Sequence, residues 1–252
     1  MDLKNKNVIY VGGFGGIGYC SCKCLLEQGV ANLAILDVVE DPEMLETLQA
    51  INKAANVFYI KLDLTDVENI ESAFTEAHDT MGRFDIVVNG SGIMNEHEIE
   101  RTIQINLFGV IYSTFAALRL MDKSKGGHGG LIVNISSIVG LDAYGAYAVY
   151  TASKYGVNGF TRALADPYYY SQTKVGFITI CPSTTETAMI ASLRMEAVTT
   201  FERMPPLPKT LCNNQSPENC AYNLVTAIKT AKNGSVWILT AGILREYHYP
   251  DI

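Results

Sequence analysis

Residues Val8 to Gly18 read Val-Ile-Tyr-Val-Gly-Gly-Phe-Gly-Gly-Ile-Gly, a short apolar run that ends in glycines and passes straight into a helical pattern from Gly16 to Gln28. The apolar, partly β-branched run predicts a strand buried on both faces. The glycines remove Cβ atoms where the chain turns sharply and where backbone must approach a ligand. Gly13, Gly15 and Gly18 carry the G-x-G-x-x-G spacing, with Ile17 inside it. The amides and positive dipole end of a helix starting there suit a pyrophosphate. A glycine-rich turn also serves as an ordinary strand-to-helix connection, so the next acidic residue decides the reading. Asp37 closes the second apolar run, about 20 residues on, where a carboxylate accepts from both ribose hydroxyls and repels a 2′-phosphate. The residues after it, Val38-Val39-Glu40-Asp41, include no Arg, so charge selects NAD over NADP.

Outward from this unit, apolar runs near Leu33, Val57, Asp85, Leu131, Val175 and Val236 alternate with helical segments, of which Val67 to Met81, Glu98 to Met121, Tyr150 to Leu164 and Pro217 to Lys232 are the clearest. Strand–helix alternation predicts an α/β fold, one Rossmann-type doubly wound domain over 1–252, with a seven-stranded, mainly parallel sheet flanked by helices. Such sheets bind ligands at the carboxyl ends of their strands. Asp63-Leu64 closes the third run and Asn89-Gly90-Ser91-Gly92 the fourth, which makes both segments cofactor candidates. Taken singly, Asp63 reads first as the N-cap of the helix after it and only second as a cofactor contact. Residues 182–215 form a long Thr- and Pro-bearing connection, the candidate substrate loop or lid.

The 252 residues carry a net charge of −7 and 48% hydrophobic residues. That balance supports a folded core and excludes a phosphate-tracking nucleic-acid binder, which needs a basic surface. No signal-like segment or bilayer-length apolar run is read from the sequence, which leads to the expectation of a cytoplasmic protein. Cys20, Cys22, Cys24, Cys181, Cys212 and Cys220 are then reduced thiols rather than a disulfide framework. Alternation within a helix keeps Cys20, Cys22 and Cys24 from converging, and His78, His97, His128 and His248 are scattered, so no metal is expected.

Tyr150-Thr151-Ala152-Ser153-Lys154 puts a phenol and an ammonium on one helical face. A nearby cation favours the phenolate and is expected to lower the pKa of Tyr150 into a useful range. Upstream, Ser137 in Asn134-Ile135-Ser136-Ser137 ends the fifth strand with a hydroxyl able to hold a substrate oxygen.

The ordered set of glycine turn, Asp37, Asn89-Gly-Ser-Gly, Asn106, Ser137 and Tyr150-x-x-x-Lys154 resembles the short-chain dehydrogenase/reductase family across nearly the whole chain. Within it the likeness is to insect, Drosophila-type alcohol dehydrogenases and their fat-body relatives. It is carried by Asn5-Lys6-Asn7-Val8-Ile9 before a glycine turn one residue shorter than usual, by Glu100-Arg101-Thr102-Ile103 before Asn106, and by Asp122-Lys123 before a Gly-Gly-x-Gly-Gly turn. The resemblance implies Tyr150 as acid/base, with Lys154 lowering its pKa and binding the nicotinamide ribose. It implies further that Ser137 holds the substrate oxygen, Asn106 supports a proton-relay water, and Pro182 and Thr187 lie at the nicotinamide end. It also implies NAD-dependent oxidation of an alcohol, a small alcohol or ketone partner, and a homodimer or homotetramer.

One position departs from that pattern: Ser183 follows Pro182 where the family has glycine. If glycine supplies an unusual φ there, Ser183 weakens cofactor binding. Pro167, in Asp166-Pro167-Tyr168-Tyr169-Tyr170, should end or distort its helix. Two alternatives stay open at this point, a binding or storage protein of low turnover and a dehydrogenase for a bulky hydroxy-lipid, terpenoid or prostanoid.

Overall fold

The computed structural model describes residues 1–192 and 214–250. Its strands are β1 (Asn7–Val11), β2 (Asn32–Asp37), β3 (Asn56–Lys61), β4 (Ile86–Asn89), β5 (Gly130–Ile135), β6 (Val175–Pro182), β7 (Val236–Thr240) and β8 (Ile243–Tyr247). They form one sheet in the order β3-β2-β1-β4-β5-β6-β7-β8, parallel from β3 through β7. The chain winds outward in both directions from β1 and β4, and this reversal opens a crevice at their carboxyl ends.

The helices are α1 (Gly16–Glu27), α2 (Pro42–Ile51), α3 (Val67–Met81), α4 (Ile99–Ile103), α5 (Gly109–Met121), α6 (Ala148–Leu164), α7 (Pro167–Thr173), α8 (Ala188–Ala191) and α9 (Pro217–Thr230). Alternating side chains of β1 serve two separate cores. Val8 and Tyr10 pack with Cys22, Leu25, Leu224 and Ile228 on the face covered by α1 and α9. Ile9 and Val11 pack with Phe74, Ala116 and Ala117 on the face covered by α3 and α5. Burial on both sides explains why these strands read as continuous apolar runs.

Among the described residues the sheet has eight strands where the sequence led us to expect seven. β8 runs antiparallel to β7, joined through Ala241 (φ 49°) and Gly242 (φ 75°). Two left-handed residues make the tight hairpin turn that matches strand twist. β8, Ile-Leu-Arg-Glu-Tyr, is an edge strand without a fully buried residue, so it shows no apolar run.

The segment expected to be one helix from Glu98 to Met121 divides into α4, a π turn (Gln104–Phe108) and α5. Contrary to the sequence reading, the 23-residue run Ile99–Met121 is long and apolar enough, by length and composition, to cross a membrane. In the fold it buries Asn106, Ser113 and Thr114 and packs Val110, Ala116 and Ala117 inward, which is the pattern of a core helix. Pro167 ends the preceding helix as expected: α6 stops at Leu164, Asp166 accepts from Tyr168 N–H at 2.8 Å, and Pro167 opens α7.

Candidate active site

A cleft of about 650 Å³ runs along the carboxyl edge of the sheet from Asp37 at one end to Tyr150 and Lys154 at the other. Its floor is the glycine turn. Gly12 (φ 80°) lies so close to Ser91 that a Cβ would sit 2.6 Å from its hydroxyl, and a Cβ on Gly18 would sit 2.1 Å from the Gly12 carbonyl. Gly15 is the N-cap of α1 and gives no side-chain cap, and the first turn holds no acidic residue. The free amides and the dipole end of α1 therefore face an anion site. At Gly16 a Cβ would meet Thr187 at 2.8 Å, so glycine here lets the loop after β6 close down onto the turn.

Asp37 sits at the tip of β2. One carboxylate oxygen accepts from Phe14 N–H at 3.1 Å and the other from Val38 N–H at 2.8 Å. Each oxygen keeps a lone pair for a diol. With Val38, Val39, Glu40 and Asp41 lining that end, acceptor oxygens and negative charge gather there, a set that suits a ribose diol and would repel an added phosphate.

At the other end, α6 presents Tyr150 and Lys154 from its first two turns, and both are buried. The Ser137 hydroxyl lies beside the Tyr150 phenol, where it favours the phenolate, and accepts from Val139 N–H at 3.3 Å. Lys154 Nζ donates to the Ile135 carbonyl at 3.1 Å and stands 5.5 Å from the centre of the Tyr150 ring. Asn106, fully buried in the π turn, accepts from Ile93 N–H and donates to the Ile93 carbonyl, both at 2.8 Å. It fixes the loop that carries Gly92, whose missing Cβ would lie 3.4 Å from Asn106 Oδ1 and 3.5 Å from Lys154 Nζ.

The acidities run against the sequence expectation for Tyr150. Burial pushes its phenol up to about 12, only partly offset by the Ser137 hydrogen bond. Burial also pulls Lys154 down to about 8. Desolvation outweighs attraction here because both groups leave water together.

Of the cofactor candidates, Gly15, Ile17, Gly18, Asp37, Gly90, Gly92, Pro182 and Thr187 line the cleft with Tyr150 and Lys154. Four do not. Gly13 packs on β2, where a Cβ would be 2.8 Å from Ile35. Leu64 packs against Gly109 of α5. The Asp63 carboxylate accepts from Thr65 N–H and Oγ1 at 2.9 and 2.7 Å, and those bonds hold its carboxyl below the usual range. The N-cap of α3 is Asp66, not Asp63. Asn89 turns inward, donating to Asn134 at 2.8 Å and Thr114 at 3.1 Å.

Ser183 is buried and is not among the described non-glycine residues with positive φ, which are Asn5, Lys174 and Ala241. The residue therefore carries no strain of the kind only glycine relieves. Within 182–215, Thr185 pairs with Gln215 and tethers the two ends, while 193–213 lie outside the described residues.

Sequence reasoning missed Gly12, Gly16 and Glu96. The two glycines were visible in the motif but fell off its spacing. Glu96, among the acidic residues of Asn95-Glu96-His97-Glu98, gave no signal of its burial.

A family model described as short chain dehydrogenase matches residues 6–197. Alcohol dehydrogenase 2 of Ceratitis cosyra is 42% identical over 246 residues, covering 97% of this chain and 95% of that protein. Fat body protein 2 of Drosophila melanogaster is 36% identical, covering 97% and 96%. The crystal structure of levodione reductase shares the fold, with TM-score 0.77 at 23% identity over 95% of this chain and 97% of that one.

Proposed function

Because this chain belongs to the short-chain dehydrogenase family and is an oxidoreductase related to insect alcohol dehydrogenases, we propose that it oxidises a secondary alcohol to a carbonyl with NAD. Tyr150 is the general base in this reading. The observation that carries it is that Ser137, Tyr150 and Lys154 line the inner end of the cleft whose outer end is Asp37. The cleft from Asp37 to Lys154 would hold NAD, which would supply the hydride acceptor. The protein does the rest. Ser137 holds the substrate oxygen, Tyr150 takes its proton, and Lys154 offers a cation to the phenolate and a donor to a ribose hydroxyl. Met94, Ile138, Val139, Tyr147 and Met189 wall the inner cleft, which favours an apolar substituent on the alcohol.

The test is to follow NADH absorbance with NAD and a panel of secondary alcohols and hydroxy-lipids. Tyr150→Phe should lower kcat on the order of a thousand-fold while NAD still binds. Equal silence of wild type and variant, with NAD bound to both, would instead support a ligand-binding role. A preference for hydroxy-lipids would shift the substrate class and keep the chemistry. Since burial holds the phenol protonated, oxidation should rise from pH 7 to pH 9, and a flat profile would contradict that burial.

The reading includes a second copy of the chain, supported by the exposed aromatic side chains Phe108, Tyr112, Phe115 and Tyr155 on the π turn, α5 and α6. It includes a cytoplasmic setting, supported by the free thiols of Cys20, Cys22, Cys24, Cys181 and Cys220.

A further inference from the structure

Glu96 lies in the loop between β4 and α4 and is 1% exposed, while His97, Glu98 and Glu100 beside it are exposed. A buried carboxylate is costly unless hydrogen bonds fill its lone pairs. Those of Glu96 are filled by the catalytic helix: one oxygen accepts from Val149 N–H at 2.8 Å and the other from Tyr150 N–H at 2.9 Å. They are amides of the first turn of α6, whose N-cap, Tyr147, offers no side-chain cap and whose first turn holds no acidic residue. A remote glutamate thus performs the service an N-cap Ser or Asp performs locally.

The loop that carries Glu96 is itself fixed. The Asn95 carbonyl accepts from the Thr102 hydroxyl at 2.7 Å, and Ile93 is held through both backbone groups by Asn106. We propose that Glu96 is a positioning residue for Tyr150, tying the backbone of the acid/base to the loop that walls the cleft so that the phenol stays aligned with Ser137. The proposal rests on the reading of Tyr150 as acid/base.

Proton transfer demands alignment within a fraction of an ångström, so loosening this anchor acts on turnover more than on cofactor affinity. Charge adds a second signature. A buried anion at the start of α6 opposes ionisation of the phenol it anchors. Cys181 on β6 and Tyr147 before α6 also act on Tyr150, and the Lys154 ammonium stands 5.5 Å from its ring centre.

The experiment compares wild type, Glu96→Gln and Glu96→Asp for alcohol oxidation at saturating NAD, for NADH binding by fluorescence, and for hydrogen exchange at the amides of Val149 and Tyr150. Glu96→Gln should lower kcat roughly ten- to a hundred-fold, move the acid limb of the pH profile to lower pH, leave NADH binding nearly unchanged and speed exchange of both amides. Glu96→Asp, which keeps the charge on a shorter arm, should recover part of the rate with the limb in place. Wild-type kcat and pH profile in the glutamine variant would overturn the proposal, as would a loss of NADH binding in step with kcat. Should that variant not fold, wild-type kcat in Glu96→Asp overturns it. A wild type silent toward every alcohol overturns the acid/base reading alone. Unaltered exchange of the two amides in the variants overturns the anchoring itself.

Discussion

Asp37 faces both ways: its carboxylate receives the Phe14 and Val38 amides and still presents lone pairs to the cleft. Replacing it by Ala should therefore relax discrimination against the 2′-phosphate and also loosen the glycine turn. We expect the ratio of kcat/KM for NAD over NADP to fall by at least about ten-fold, with part of the loss appearing in NAD affinity. Unchanged discrimination would remove Asp37 from the ribose. That Asp37, Ser137, Tyr150 and Lys154 come to one cleft was legible because it depends on local spacing and on position at a strand end. Asn89 misled because the same position at the end of β4 permits an inward side chain. Glu96 was illegible because nothing local distinguishes a buried acid from a solvated one.

At the scale of elements, the strand-to-helix unit at the amino end shows how little room the motif leaves. Gly18 lies on the first turn of α1, against the Gly12 carbonyl, and a methyl group there meets backbone rather than a movable side chain. Gly18→Ala should cost roughly 1–3 kcal/mol by thermal or denaturant unfolding and weaken NAD binding further, because α1 must shift away from the turn. An alanine variant with wild-type stability and affinity would contradict the packing. The parallel strands were readable as apolar runs and most long helices by their period. β8 was not, since an edge strand needs no continuous apolar stretch, and neither was the break at Gln104–Phe108, where tertiary contacts of Asn106 override a sequence that continues helically.

The whole molecule holds a lysine in its interior beside the sheet, and its stability should report that cost. Lys154, normally near 10.5, is pulled down to about 8 by burial. The unfolded chain therefore binds more protons than the folded one between those values, and stability contributed by this group rises with pH across that window. Against Lys154→Met, which shares every other titrating group, wild type should gain about 1 kcal/mol between pH 7 and pH 9. A difference that stays flat would mean the ammonium is better solvated than its 3% exposure indicates.

The reversal of strand order at β1 and β4 has a consequence for how the molecule comes into being. The Asp37 end of the cleft belongs to the segment through β2, whereas Ser137 follows β5 and Tyr150 and Lys154 lie on α6, across the β1–β4 seam. A chain emerging from synthesis can pair β1 with β2 and β3 early, but it has no reactive centre until the distant half docks. On the proposed function, catalytic competence would be a late event in folding, and refolding followed by activity should lag behind refolding followed by helix content.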